Sequence, residues 1–198
     1  MTTTTKAFST LALLSALLFV PAARAGGPEI GAPAPDFTLP TAAEGKGVAL
    51  KDLLARNRAV AVIFIATRCP YCNGYNERMA AMGKEYAPKG IALVGINSNK
   101  TEPAAEVAEH ARTHGFTFPV LKDPGNKVAD LYGATHTPEV FLIDSKGTLL
   151  YHGRIDETYD EPKNVRSPDL LNAFEAVLSG KPIPKTETKA FGCSIKRV

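Results

Sequence analysis

Residues 59–66 read AVAVIFIA, an uninterrupted apolar run that is rich in β-branched side chains. Such a run predicts a strand that is buried on both faces, as at the centre of a parallel sheet. The motif Cys69-Pro70-Tyr71-Cys72 follows it directly. Apolar side chains then recur at helical spacing, at Cys72, Tyr75, Met79, Met82 and Tyr86. We therefore expect two thiols at the N-terminus of a helix that leaves a central strand.

The remaining pattern predicts further strands and helices around this strand. Residues 91–97 form a second apolar run, and the segments EVFLID and TLLYHG within 139–153 flank a Ser-Lys-Gly turn that is typical of a hairpin. Helices are expected at about 101–114, from Asp123 as N-cap with Pro124 at the first position, and from Ser167 to Gly180. The order predicts an α/β fold. We expect a central mixed sheet flanked by helices, with an N-terminal strand extension at 36–41.

Residues 1–25 have the pattern of a signal peptide. Lys6 precedes an apolar stretch from Ala7 to Val20, and Ala23-Arg24-Ala25 matches a cleavage signal. The stretch has 14 residues, whereas a membrane-spanning helix needs about 20. We therefore predict cleavage after Ala25 and export, as in a bacterial periplasmic protein, without stable membrane insertion afterwards. An uncleaved membrane anchor is the alternative interpretation.

The charge balance argues against a nucleic-acid partner. Removing residues 1–25 would remove Lys6 and Arg24 and no acid, and would lower the formal net charge from +3 to +1. A nearly neutral domain offers little attraction for a phosphate backbone. We therefore expect partners that interact with the thiols.

Cys69 is the candidate nucleophile, and Cys72 is the candidate resolving thiol. Cys69 is expected to face free backbone N–H groups at the start of the helix, with Arg68 as a neighbouring cation, and both features favour a thiolate. Cys72 lies one turn further, on the apolar face, and is expected to be the more buried thiol. This arrangement predicts that Cys69 attacks and Cys72 resolves the mixed disulfide.

Two other interpretations of the thiol pair are weaker. A structural zinc site usually has four ligands, and the chain contains only one further cysteine. His110 and His114 are spaced for one helix face, but no further ligand cluster accompanies them, so no metal site is predicted. A structural disulfide across so short a loop would constrain the unfolded chain very little.

The segments FIATRCPYC and GATHTPEVFLID resemble the two hallmarks of the thioredoxin superfamily. The first is similar to the strand-to-helix active site of exported thioredoxin-like thiol–disulfide oxidoreductases. APDFTLP and VGINSN also resemble the redoxin branch, which includes alkyl hydroperoxide reductase and thiol-specific antioxidant proteins. The resemblance covers about residues 31–181. It implies a thioredoxin-like fold and a thiol–disulfide oxidoreductase that needs no cofactor.

The resemblance also implies a substrate groove and a set of partners. Thr137 and Pro138 match the family's cis-proline position, where the proline shapes the groove and the backbone of Thr137 is placed to pair with a bound peptide. The implied partners are a disulfide-containing protein or small molecule and a thiol or membrane-bound electron donor. One departure is Ile63, which replaces the buried acid that helps to activate the second thiol in thioredoxin.

Two alternative activities belong to neighbouring parts of the same superfamily. A thiol-dependent peroxidase with antioxidant activity is the first, but peroxiredoxins carry P-x-x-x-T-x-x-C, and this chain has Val62 and Ala66 at those positions. A copper-binding thiol chaperone is the second, and its relatives usually separate the cysteines by three residues. Both alternatives rank below the oxidoreductase.

Cys193 is the third thiol, in the sequence FGCSIKRV that ends the chain. We divide the chain into the signal peptide, a thioredoxin-like domain at 26–180 and a C-terminal tail at 181–198. Cys193 is a candidate additional resolving thiol if a flexible tail brings it to Cys69, and otherwise an ordinary surface thiol. His136 is a candidate cation beside the thiols or an ordinary loop histidine.

Overall fold

The computed structural model describes residues 26–198 together with Met1, so residues 2–25 of the predicted signal peptide lie outside the described residues. A five-stranded sheet forms the centre of the described part. None of the helices in residues 26–198 combines the length and apolar character needed to cross a bilayer.

The elements follow one another in the predicted order, and two short strands at residues 136–137 and 193–194 were not predicted. The strands are β1 Thr38–Pro40, β2 Gly47–Ala49, β3 Ala59–Phe64, β4 Ile91–Asn97, β5 Val120–Lys122, β6 His136–Thr137, β7 Glu139–Asp144, β8 Leu149–Gly153 and β9 Cys193–Ser194. The helices are α1 Leu50–Leu54, α2 Pro70–Tyr86, α3 Ala104–Thr113, α4 Lys127–Tyr132 and α5 Asp169–Ser179.

The apolar run at 59–66 contains the central strand, as predicted. β3 pairs in parallel with β4 and antiparallel with β7, and the sheet order is β5-β4-β3-β7-β8. All six residues of β3 are buried. Its odd-numbered side chains pack with α2 and α5, and its even-numbered side chains pack with α1 and α4. The expected mixed sheet flanked by helices is confirmed, and the N-terminal extension is the β1-β2 hairpin.

One predicted helix start is wrong in its position. Asp123 does not begin a continuous helix, because residues 124–126 form a short 3-10 turn with Gly125 at φ 76° and Asn126 at φ 58°. α4 begins only at Lys127. The carboxylate of Asp123 nevertheless accepts hydrogen bonds from the backbone N–H groups of Val128 and Ala129, at 3.1 and 3.0 Å. Asp123 thus caps the first turn of α4 from across the intervening turn.

The tail beyond α5 packs against the domain. Thr188 pairs with the backbone of His152 at 3.0 Å. Further along, Ile195 is buried in the core on the α1 and α4 side of the sheet. Between them, β9 pairs antiparallel with β6. The tail therefore crosses the end of the sheet at which the candidate thiols lie.

Candidate functional site

The Cys69-Pro70-Tyr71-Cys72 motif begins α2, as the sequence predicts. Cys69 is the N-cap residue, Pro70 occupies the first helical position, and the backbone N–H of Cys72 donates to the sulfur of Cys69 at 3.5 Å. Both thiols are reduced and buried, with exposed fractions of 2% for Cys69 and 1% for Cys72. Cys72 is the more buried of the two, as expected, although the two exposures differ little.

A second loop faces Cys69 from the strand end. The Thr137–Pro138 peptide bond is cis, as the resemblance implies. In its thiol form, Cys69 donates a hydrogen bond to the carbonyl oxygen of Thr137 at 3.2 Å. The structure therefore brings together Cys69, Cys72, Thr137 and Pro138, although 68 positions separate Cys69 from Thr137.

The surroundings of Cys69 favour its thiolate. The pKa of Cys69 is lowered from 9.0 to about 5, and hydrogen bonding by the Cys72 thiol is the largest cause. Burial opposes this shift, while the Cys193 thiol and the backbone N–H of Cys72 add to it. A thiol that ionises near this pKa is a thiolate at neutral pH and is therefore a ready nucleophile.

The other two thiols are held in the neutral form. Burial raises the pKa of Cys72 well above its ordinary value, and the contact with Cys69 raises it further. Burial also raises the pKa of Cys193, to about 11, and Cys69 again adds to the shift. Cys69 is therefore the thiol that ionises most readily, and the two thiols near it favour the neutral form.

The predicted role of Arg68 is wrong. Its guanidinium pairs with Glu106, with Nε to Oε1 at 2.8 Å and Nη2 to Oε2 at 2.5 Å. The groups that lower the pKa of Cys69 are the neighbouring thiols and a backbone N–H instead. Although Arg68 is next to Cys69 in sequence, its side chain extends toward Glu106 of α3. Side chains of consecutive residues leave a loop in different directions.

A buried carboxylate, Glu102, holds the loop before Cys69. One of its oxygens accepts from the backbone N–H of Thr67 at 2.9 Å, and the other accepts from that of Arg68 at 3.1 Å. Asn97 and Asn99 donate to the same carboxylate at 2.5 and 3.1 Å. Burial opposes ionisation, but these hydrogen bonds lower the pKa of Glu102 below its ordinary value. Glu102 therefore anchors the active-site loop as an anion.

Glu139 holds the opposite loop in a similar way. One carboxylate oxygen accepts from the backbone N–H groups of Thr135 and His136, at 2.8 and 2.9 Å. The other pairs with Nε2 of His152 at 2.8 Å. Neither Glu102 nor Glu139 was predicted from the sequence. A glutamate directly after the Thr-Pro, in an otherwise apolar strand, was an available signal for Glu139, since buried charges need partners.

Aromatic side chains surround the entrance to the thiols. The ring of Tyr71 lies 4.4 Å from that of Tyr159 and 6.0 Å from that of Phe191, between centroids. All three residues are partly exposed. They pack against the core cluster that contains Cys69 and form a partly exposed apolar surface there.

Two of the histidines named from the sequence, His110 and His136, pair through their ring nitrogens with groups other than the thiols. His110 and His114 lie side by side at the end of α3 with their rings tilted and centroids 4.4 Å apart, and His110 also pairs with Asn73 at 3.0 Å. The ring of His136 is hydrogen-bonded to the hydroxyl of its neighbour Thr135, at 2.8 Å. Within residues 26–198, His, Cys, Asp and Glu side chains form no group of three or more that is suited to hold a metal.

Comparisons with known proteins agree with this fold. The family described as AhpC/TSA matches residues 30–152. The thiol–disulfide oxidoreductase ResA of Bacillus thuringiensis is 29% identical over 133 residues, which are 67% of this chain and 74% of that protein.

Solved structures are similar over most of the domain. The hypothetical protein SMc02350 of Sinorhizobium meliloti 1021 is 37% identical, with a TM-score of 0.80 over 86% of this chain and 95% of that one. A thiol:disulfide interchange protein of the thioredoxin family from Chlorobium tepidum is 30% identical, with a TM-score of 0.52 over 59% of this chain and 81% of that one. Because the family match covers more than half of the sequence, the chain belongs to the AhpC/TSA family, with a thioredoxin-like fold built around its Cys-Pro-Tyr-Cys pair.

Proposed function

We propose that the protein is a thiol–disulfide oxidoreductase in which Cys69 attacks and Cys72 resolves. The observation that carries this proposal is the asymmetry of the pair. The pKa of Cys69 is lowered to about 5, whereas burial raises that of its partner. One sulfur is thus prepared to attack while the other stays protonated until it is needed. The names of the relatives support the same reaction class.

In the reducing direction, the Cys69 thiolate attacks one sulfur of a substrate disulfide, and the other substrate sulfur leaves as a thiolate. A mixed disulfide now joins Cys69 to the substrate, and the negative charge beside Cys72 is gone. The charge on Cys69 was one of the causes that raised the pKa of Cys72. Cys72 then loses its proton and attacks the sulfur of Cys69, which releases the second substrate thiolate. The products are a Cys69–Cys72 disulfide and two substrate thiols.

The substrate groove in this proposal lies along Thr137 and Pro138. The backbone of Thr137 belongs to a two-residue strand, and an extended peptide can pair with such an edge. The partly exposed ring of Tyr71 would contact side chains on either side of the substrate disulfide. Substrates are disulfides of a protein or a small molecule, and a thiol or membrane-bound donor restores the reduced pair.

The proposal places the reaction outside the cytosol. Residues 1–25 carry the signal-peptide pattern, and disulfide exchange is typical of oxidising compartments. Export to a bacterial periplasm predicts a mature chain that begins at Gly26. N-terminal sequencing of the protein from a periplasmic extract tests this, and a mature chain that still begins before Ala25 contradicts it.

Reduction of insulin disulfides by dithiothreitol tests the activity. Wild-type protein should accelerate the reaction, and Cys69→Ser should remove the acceleration. Cys72→Ser should retain the first step and accumulate a mixed disulfide, which mass spectrometry detects. Equal rates for wild type and Cys69→Ser would reject the proposal. A melting temperature within a few degrees of wild type shows that the variant has folded.

Reaction with hydrogen peroxide distinguishes the proposed oxidoreductase from the alternative activity, a thiol-dependent peroxidase. Residues 62 and 66 are Val62 and Ala66, so neither supplies the proline or the hydroxyl of the peroxiredoxin motif. We therefore expect stoichiometric hydrogen peroxide to oxidise Cys69 no faster than it oxidises a free thiol of similar pKa. A much faster loss of the Cys69 thiol would favour the antioxidant enzyme.

A further inference from the structure

The C-terminal strand occupies the edge at which a substrate would pair. In the β6–β9 register, Thr137 lies opposite Cys193 and His136 opposite Ser194. The backbone N–H of Ile195 donates to the carbonyl of Thr135 at 3.0 Å. The hydroxyl of Thr137 donates to the carbonyl of Cys193 at 3.4 Å. The tail thus makes the backbone contacts that the proposed function assigns to a bound peptide.

Gly192 allows this close approach. A Cβ atom built on Gly192 would lie 2.1 Å from the carbonyl oxygen of Thr137 and 3.4 Å from the nitrogen of Pro138. Gly192 also has a φ of 145°, which side-chain-bearing residues rarely adopt. The residue before Cys193 is therefore shaped to lie directly on the cis-proline loop.

Both ends of the crossing segment are anchored. Upstream, the hydroxyl of Thr188 accepts from the backbone N–H of Arg154 at 3.0 Å. Downstream, the backbone N–H of Lys196 donates to Asn99 at 2.7 Å, and its carbonyl accepts from Lys100 at 2.9 Å. The segment between the anchors is short, so Cys193 stays near Cys69 even when the strand opens. Such tethering gives an internal thiol a high effective concentration.

The same segment covers the nucleophile. Cys69 is only 2% exposed, and Cys193 lies opposite Thr137, whose carbonyl oxygen accepts from the Cys69 thiol at 3.2 Å. A substrate disulfide cannot reach a sulfur at this exposure while the strand is docked. The strand therefore has to move before the first attack.

We propose that residues 191–195 form an internal substrate mimic, in which Cys193 stands where the cysteine of a disulfide substrate would stand and exchanges into a Cys69–Cys193 disulfide. Extended protein substrates must displace this strand, and Cys193 competes with Cys72 to resolve the mixed disulfide on Cys69. The inference rests on the proposed function, since it requires the same attack by Cys69.

The exchange balances without any added oxidant. From a mixed disulfide between Cys69 and a substrate, the Cys193 thiolate attacks the sulfur of Cys69, and the substrate leaves as a thiolate. From the Cys69–Cys72 disulfide, the same attack expels Cys72 as a thiolate and leaves a Cys69–Cys193 disulfide. One S–S bond breaks and one forms in each step. The second step is an exchange within the protein, so the oxidation state of the protein does not change.

Cys193 ionises more easily once Cys69 is part of a disulfide. The pKa of Cys193 is about 11 beside the Cys69 thiolate. When Cys69 enters a disulfide, its charge no longer opposes a second thiolate, and Lys196 acts in favour of one. Cys193 is half-buried, whereas Cys72 is fully buried. Cys193 therefore has less desolvation to overcome than Cys72.

The direct test uses Cys72→Ser with oxidised glutathione as the small disulfide. We expect the Cys69–glutathione adduct to form and then disappear as an internal Cys69–Cys193 disulfide, located by peptide mapping. The matched control is Cys72→Ser combined with Cys193→Ala, which should retain the adduct. Equal persistence of the adduct in both variants overturns the inference and leaves the proposed function standing. Failure of any adduct to form on Cys69 contradicts the proposed function and, with it, the inference.

A second variant tests the covering role without altering a thiol. Gly192→Ala should dislodge the strand, and the alkylation of Cys69 in the reduced protein should become roughly ten- to a hundredfold faster, the scale expected from overpacking. Gly45→Ala is the control, since Gly45 also has a positive φ, of 69°, but a Cβ there meets nothing within 4 Å. Equal rates of alkylation in the two variants contradict the covering role.

Discussion

The two buried glutamates beside the thiols allow a sharp test of the site's architecture. In Glu102→Gln, one carboxylate oxygen becomes an NH2 group. Each oxygen of Glu102 accepts from two donors, one backbone N–H and one asparagine amide. Whichever way the new amide turns, two donors therefore lose their acceptor. The asparagine oxygens are already engaged by Lys122 and by the backbone of Lys196, so neither amide can simply flip.

The expected cost follows from those two donors. A buried donor without an acceptor costs about 1–3 kcal/mol, so Glu102→Gln should lower the free energy of unfolding by about 2–6 kcal/mol. For a typical m-value, this loss of stability lowers the urea concentration at the unfolding midpoint of the fully reduced protein by about 1–3 M.

Glu139→Gln is the matched control, because Glu139 is also buried, at 4% exposure. Both backbone donors reach the same oxygen of Glu139, and a glutamine oxygen can keep them. His152, at the other oxygen, can accept from the new amide by changing tautomer. The midpoint of Glu139→Gln should therefore fall much less than that of Glu102→Gln. Equal midpoints for Glu102→Gln and wild type would refute the assignment of Glu102 as the anchor.

The pH dependence supplies an independent check on Glu102. Its pKa in the folded protein is below the ordinary value of 4.5. The contribution of ionised Glu102 to the free energy of unfolding is therefore present above pH 4.5. It is lost as the pH falls through the lower pKa that Glu102 has in the folded protein. The stability difference between wild type and Glu102→Gln should shrink in that acidic range. A difference that stays constant down to complete acid unfolding contradicts the ionised form.

Two further outcomes are expected. The ultraviolet absorbance of the Cys69 thiolate should titrate near pH 5, and Cys193→Ala should move its midpoint upward by removing a donor; a midpoint near 9.0 in wild type contradicts both. Gly74→Ala places a Cβ 2.4 Å from the carbonyl oxygen of Tyr159. The resulting overpacking costs about 1–3 kcal/mol and should outweigh the gain in helix propensity of about 1 kcal/mol. The melting temperature should therefore fall, and an increase would refute this.

The central strand β3 and the helix α2, which begins after Cys69, were predictable because their sequence patterns are local. The run at 59–66 has to be apolar to lie inside a sheet, and the helical spacing after Cys69 reflects burial of one face of α2. The position of Thr137-Pro138 was found by resemblance alone. The Asp123 helix start was misplaced because Gly125 and Asn126 adopt positive φ values, which the composition of the segment allows but does not require.

The sequence by itself determined the order of strands and helices, the pair of thiols at a helix N-terminus and the family pattern around them. Only the tertiary structure decided that Arg68 pairs with Glu106, 38 positions away, that Glu102 and Glu139 anchor the two loops, and that Cys193 lies across Thr137. The physical reason is that periodicity records which face of an element is buried. The partner of a side chain in a loop depends instead on how distant segments pack, and no local pattern encodes that arrangement.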